Sequence, residues 1–166
     1  LLIVKNQSYI MDSNLNLMLN QKTFYKLFFK FYFIFKSMKV LELFKGSGSI
    51  TNYYSDSDVE VISLDILEKY KPTICSDIMT FDYKQFDIGY FDIIWASPEC
   101  KIFSVLQHAW ISRKWKDKEH LQTEREKNKI FINKTIEIID YLKPTYYFIE
   151  NPLHSKIWDY VEEDYK

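Results

Sequence analysis

Glycine and proline are scarce, at 3 and 4 residues in a chain of 166. So few breakers exclude a collagen-like or Gly/Pro-rich disordered chain, and they make the placement of those present informative. Cysteine is scarcer still. Cys75 and Cys100 have neither CxxC spacing nor a disulfide framework, which predicts a reducing compartment. Three histidines (His108, His120, His154) without an HxxxH pattern give no basis for a zinc site, so no metal is expected. An excess of one charge is also missing. Twenty-two Lys and Arg against 23 Asp and Glu leave a net charge of −1, which excludes a polycation or an acidic tail but not a local basic face. The longest apolar run, 24–36 (FYKLFFKFYFIFK), is interrupted by Lys26 and Lys30. It falls short of the roughly 20 residues a membrane span needs, and no small-residue cleavage site accompanies it. These absences predict a soluble protein of the cytoplasm with no membrane partner.

What is present suits one globular domain. Hydrophobic residues make up 47% of the chain, enough for a core, and 27% are charged, which argues against disorder. The composition shifts near positions 37–38. Residues 1–37 read as a poorly specified N-terminal extension, with an amphipathic surface anchor at 24–36 as the functional alternative. Met38 stands where a chain start would fit. Beyond it, short apolar runs at 39–44 (KVLELF), 59–64 (VEVISL), 73–75, 91–96 (FDIIWA) and 145–149 (TYYFI) read as strands. Helices are expected over 49–55 and 121–142, the latter stopped by Pro144. This alternation predicts an α/β fold with a mostly parallel sheet. Each strand also ends in a distinctive element: Gly46-Ser47-Gly48, Asp65, Asp77, Ser97-Pro98-Glu99-Cys100, and Glu150-Asn151-Pro152. In open parallel sheets ligands bind at that carboxyl edge.

The strand-end residues carry the chemistry. Two of the three glycines fall in one strand-to-helix turn, where positive φ and free N–H groups at the helix start favour a ligand. Asp65 follows Gly48 by 17 positions, near the spacing at which nucleotide-binding units place a ribose-binding acid. Asp77, one strand further, suits an adenine amino group. Both also suit an ordinary cap or turn. Without a P-loop Gly-Lys-Ser/Thr, an adenosyl ligand lacking pyrophosphate fits better than a nucleoside triphosphate. Cys100, behind Pro98, projects from a defined turn as a candidate nucleophile, although most lone cysteines are inert. Glu150 adds a carboxyl group at the next strand end. The stretch 113–129 holds seven basic and four acidic residues, either a phosphate-contacting loop or a solvated helix face.

In their order, LELFKGSGS, VISLDI, SDI, WASPECKIFS and FIENP resemble motifs I, II, III, IV and VI of the DNA cytosine-5-methyltransferases, closest to the short phage and viral forms. The resemblance covers about 39–158. It implies a Rossmann-like three-layer sandwich that binds S-adenosylmethionine and methylates carbon 5 of cytosine in DNA through a covalent cysteine–cytosine intermediate. Carried over, Phe44, Gly46, Ser47 and Gly48 line the cofactor, Asp65 holds its ribose, and Asp77 with Ile78 meets its adenine. Cys100 is the nucleophile and Glu150 the acid that grips the base, with Ser97, Pro98, Ser104 and Asn151 beside the substrate. DNA is the implied partner. Residues 38–166 would then be a partial catalytic domain, cut short after the fifth strand. One departure stands beside the nucleophile: Glu99 replaces the family's proline. A carboxylate next to the thiol would raise its pKa, so Glu99→Pro is expected to favour attack. The alternative from a different class is a catalytically silent methyltransferase-like relative that binds or regulates.

Overall fold

The computed structural model describes residues 2–4, 37–162 and Tyr165. The segment 24–36, with its possible anchor, lies outside them. The described elements are strands β1 (Leu2–Val4), β2 (Lys39–Leu43), β3 (Glu60–Asp65), β4 (Ile74–Cys75), β5 (Ile93–Ala96) and β6 (Tyr146–Glu150), with helices α1 (Ser49–Tyr53), α2 (Lys118–Asn128) and α3 (Ile130–Leu142). One sheet joins the strands in the order β1-β6-β5-β2-β3-β4. The five from β2 onward run parallel, and β1 closes the edge antiparallel to β6, Leu2 opposite Glu150. Nothing in the sequence signals that edge strand, because three apolar residues carry no period.

Alternation along the strands sends side chains to two separate cores. Leu41, Leu43, Ile94, Ala96, Tyr147 and Ile149 face one side, where Ile132, Ile138, Ile139 and Leu142 of α3 cover them. Val40, Ile93, Trp95 and Phe148 face the other, against Ile50 and Tyr54 around α1. Period-two strands buried on both faces are what parallel sheets between helices require. The architecture is therefore the mostly parallel α/β sheet that the strand pattern predicts, in the three-layer, Rossmann-like form that the resemblance implies.

The region expected to be one helix over 121–142 is two. Asp117 caps α2 by accepting from the His120 N–H at 2.7 Å, and Lys129 separates α2 from α3. The charged face of α2 buries only Leu121 and Arg125, whereas α3 buries five residues. The break thus falls where a mainly solvated helix gives way to a core helix.

Strand order fixes where a ligand can sit. From β2 the chain steps outward through β3 to β4, then returns to lay β5 on the other side of β2. The crevice between the carboxyl ends of β2 and β5 is the topological switch point, where open α/β sheets bind ligands. The Ser97 N–H donates to the Leu43 carbonyl at 3.3 Å and closes that crevice at its base.

Candidate functional site

The turn after β2 is the most constrained backbone of the site. Phe44, Gly46 and Gly48 have φ of 58°, 51° and 78°. For Phe44 this left-handed conformation costs on the order of 1–2 kcal/mol, as strain at functional turns does. At Gly48 the positive φ strains any side chain, and a Cβ there would lie 3.1 Å from Lys45 Cε, so the lysine would have to shift. The Lys45 ammonium donates to the Tyr70 and Lys71 carbonyls at 2.8 and 2.7 Å, which ties the turn to the segment after β3. Asp65 ties it again: its carboxylate accepts from the Gly46 N–H and the Leu67 N–H, both at 2.8 Å. Ser47 is exposed, and its carbonyl accepts from Asn52 Nδ2 at 2.7 Å.

Two N–H groups at the start of α1, those of Ile50 and Thr51, are not free for a ligand, contrary to the sequence reading. Glu42, 2% exposed and next to last in β2, accepts from the Ile50 N–H at 3.0 Å, the Thr51 N–H at 3.1 Å and the Thr51 hydroxyl. The helix start is thus neutralised by the protein's own carboxylate, which removes the anion site a phosphate would need. Sequence inspection missed Glu42. Its signal was a single acid in an otherwise apolar strand.

Beside this turn lies a cavity of about 210 Å3. Phe44, Leu64, Ile66, Ile78 and Phe131 give it apolar walls, and Ser76, Asp65, Asp77 and Glu99 supply its polar groups. Among the described residues no Lys or Arg lines it. Apolar walls with carboxylate acceptors suit a base and a sugar and disfavour a phosphate, so the donor set fits the adenosyl group of S-adenosylmethionine. The volume is below the roughly 300–1,000 Å3 of a site that encloses a drug-sized ligand, so it matches part of such a molecule. Asp77 keeps one oxygen occupied by the Met79 N–H at 2.9 Å. Four of the candidate cofactor residues therefore share one cavity (Phe44, Asp65, Asp77, Ile78), while Gly46 is joined to it through Asp65, and Ser47 and Gly48 do not line it.

The second group gathers at the ends of β5 and β6, where Ala96 pairs with Ile149 in parallel register. Ser97 accepts from Trp95 Nε1 at 3.0 Å, and buried Asn151 donates to the Pro98 carbonyl at 2.9 Å. Asn151 thereby fixes the Pro98 turn against the strand that ends in Glu150. Cys100 is a free, exposed thiol, and its carbonyl accepts from the Phe103 N–H at 3.0 Å. Glu150 is exposed at the end of β6. Cys100, four residues past the end of β5, and Glu150, the last residue of β6, thus follow the same edge of the sheet. Ser104 caps the 3₁₀ segment Val105–Trp110 by accepting from the Leu106 N–H at 3.2 Å.

The basic stretch splits. Arg125 is buried, and its guanidinium donates to the Ile102 and Ser104 carbonyls at 3.1 and 3.2 Å. It holds the backbone just after Cys100, and burial pushes its pKa below the ordinary value. Lys127 and Lys129 pair with Glu124 and Glu126 at 2.6 and 2.8 Å. Arg113, Lys114, Lys116 and Lys118 are exposed beside half-exposed Trp110. No sequence signal separated Arg125 from these. Among the described residues, no His, Cys, Asp and Glu group is placed to hold a metal, and no helix is long and apolar enough to cross a membrane.

This chain resembles the DNA cytosine-5-methyltransferases by more than its motifs. It is 29% identical over 129 residues to the "Probable DNA (cytosine-5)-methyltransferase" of Frog virus 3 (isolate Goorha), over 76% of this chain and 59% of that protein. The chain spans about three fifths of the length of this curated relative. No family model matches it.

Proposed function

We propose that this chain is a catalytic core of the DNA cytosine-5-methyltransferase family, transferring a methyl group to carbon 5 of cytosine. The observation that supports the reading is a cavity with apolar walls and the carboxylates of Asp65, Asp77 and Glu99 at the carboxyl edge of the sheet, the edge at which Cys100 follows β5 and Glu150 ends β6. The viral relative supports it.

Phe44, Asp65, Asp77 and Ile78 would hold S-adenosylmethionine, Asp65 at the ribose and Asp77 with Ile78 at the adenine. When bound, the cofactor supplies an electrophilic methyl group. Cytosine carbon 5 is a poor nucleophile, and the Cys100 thiolate corrects this by adding to carbon 6 of the ring. Glu150 holds a proton at the ring nitrogen and so stabilises the charge that develops there. The base takes the methyl at carbon 5; loss of the carbon-5 proton and expulsion of sulfur restore the ring and the free thiol. A stacked base cannot reach Cys100, so the target nucleotide must flip out of the duplex. Ser97, Pro98 and Asn151 set the nucleophile turn, and Ser104 with Arg125 sets the loop behind it. The exposed Arg113, Lys114, Lys116 and Lys118 would contact phosphates.

The test is methyl transfer from S-adenosylmethionine carrying a labelled methyl group to duplex DNA. Label at cytosine carbon 5 is expected. Label on an exocyclic amino group, or none while the cofactor is bound, overturns the proposal, and the latter result favours the silent relative.

A further inference from the structure

Glu99 occupies an unexpected place. The sequence puts it beside Cys100, as a burden on the thiol; the structure puts it on the wall of the cavity that also holds Asp65 and Asp77. The strand order gives these acids a sequence in space. Along the carboxyl edge, Asp77 follows β4, Asp65 ends β3, Phe44 follows β2 and Glu99 follows β5. If the adenine and ribose sit at the β4 and β3 end, the rest of the ligand extends toward β5. That is also where Cys100 would hold the base receiving the methyl. The reactive, positively charged end of the ligand therefore approaches Glu99.

We propose that Glu99 is a specificity residue that selects the methyl-bearing cationic cofactor over its neutral product. This rests on the methyltransferase reading above. A sulfonium carries one positive charge; after methyl transfer the same sulfur is an uncharged thioether. The two ligands have nearly the same shape and bind the same apolar walls, so shape discriminates them poorly. Charge discriminates them well, because the α-ammonium and α-carboxylate are common to both and Glu99 attracts the sulfonium but not the thioether sulfur. The attraction disappears at the moment the methyl leaves, which favours exchange of spent for fresh cofactor. Glu99 is exposed at the mouth, so water screens the interaction. An effect of about three- to tenfold in affinity is therefore expected, less than a buried pair would give.

The experiment is calorimetric titration of the full chain with S-adenosylmethionine and, separately, with S-adenosylhomocysteine, for the wild type, Glu99→Gln and Glu99→Lys. Because Glu99 is exposed, neither substitution disturbs the core. The wild type is expected to prefer the sulfonium. Glu99→Gln should weaken the sulfonium ligand about three- to tenfold and change the thioether by less than about twofold. Glu99→Lys should lower the ratio further, and raised salt should shrink the preference in the wild type alone. Equal weakening of both ligands, or no change in their ratio, overturns the role of Glu99 and leaves the methyltransferase reading standing. Failure of the wild type to bind either ligand overturns that reading itself, and the inference with it.

Discussion

Glu42 and Asp65 are carboxylates used as backbone fasteners, and each holds an end of the glycine turn. Glu42 is buried and satisfies two N–H groups and a hydroxyl. Glu42→Ala leaves those donors without an acceptor and is expected to cost about 2–4 kcal/mol in urea unfolding. Asp65 is half-buried and fastens Gly46 and Leu67. Asp65→Ala should cut the thermal protection given by S-adenosylmethionine, which for the wild type reaches about 2.7 kcal/mol at a hundred times the Kd. Unchanged protection would move the ribose contact elsewhere. Glu99→Pro, suggested by the family's proline, removes the carboxylate from the thiol and from the cavity together. Glu99→Gln keeps the chain length and isolates the charge, so a gain in covalent trapping seen with Pro and not with Gln would come from the backbone of the turn.

Helix α2 shows how a charged element can serve the site from behind. Its buried face offers Leu121 and Arg125, and Arg125 holds two carbonyls of the Cys100 loop. Arg125→Lys cannot reproduce the planar fork, so both Arg125→Ala and Arg125→Lys should lower the melting temperature and covalent capture of DNA while leaving cofactor affinity unchanged. Helix α3 is pinned from its other side by the Tyr83 hydroxyl, which donates to Glu137. That bond pushes the Tyr83 pKa up from 10 to about 12 and lowers that of Glu137. The Tyr83 contribution is therefore whole below pH 10 and lost as pH rises toward 12. Tyr83→Phe should be less stable than wild type at neutral pH by about 1 kcal/mol, and the gap should close across that alkaline window. The strands and the core helix were legible in the sequence because apolar period fixes them. The 3₁₀ segment Val105–Trp110, the break at Lys129 and edge strand β1 were not, since they rest on caps and on pairing between distant residues. The same limit applies at the site. The strand-end acids and Cys100 could be located directly in the sequence, whereas the partners of Glu42 and Arg125 and the cavity position of Glu99 depend on which neighbour each side chain meets after folding.

For the whole molecule, one topological fact organises the chemistry. Because β5 returns beside β2, the end of one strand brings the glycine turn and the end of the next leads to the thiol, with a backbone hydrogen bond between the two strand ends. Function then depends on whether Cys100 still attacks a base presented at that edge. The direct measurement is covalent trapping on duplex DNA in which every cytosine is 5-fluorocytosine, so that target sequence does not matter, with S-adenosylmethionine present. The fluorine blocks loss of the carbon-5 substituent and freezes the adduct. Wild type is predicted to form a denaturation-resistant protein–DNA adduct, and Cys100→Ser to form none. An adduct that survives Cys100→Ser, or no adduct from wild type that binds the cofactor, would contradict the account.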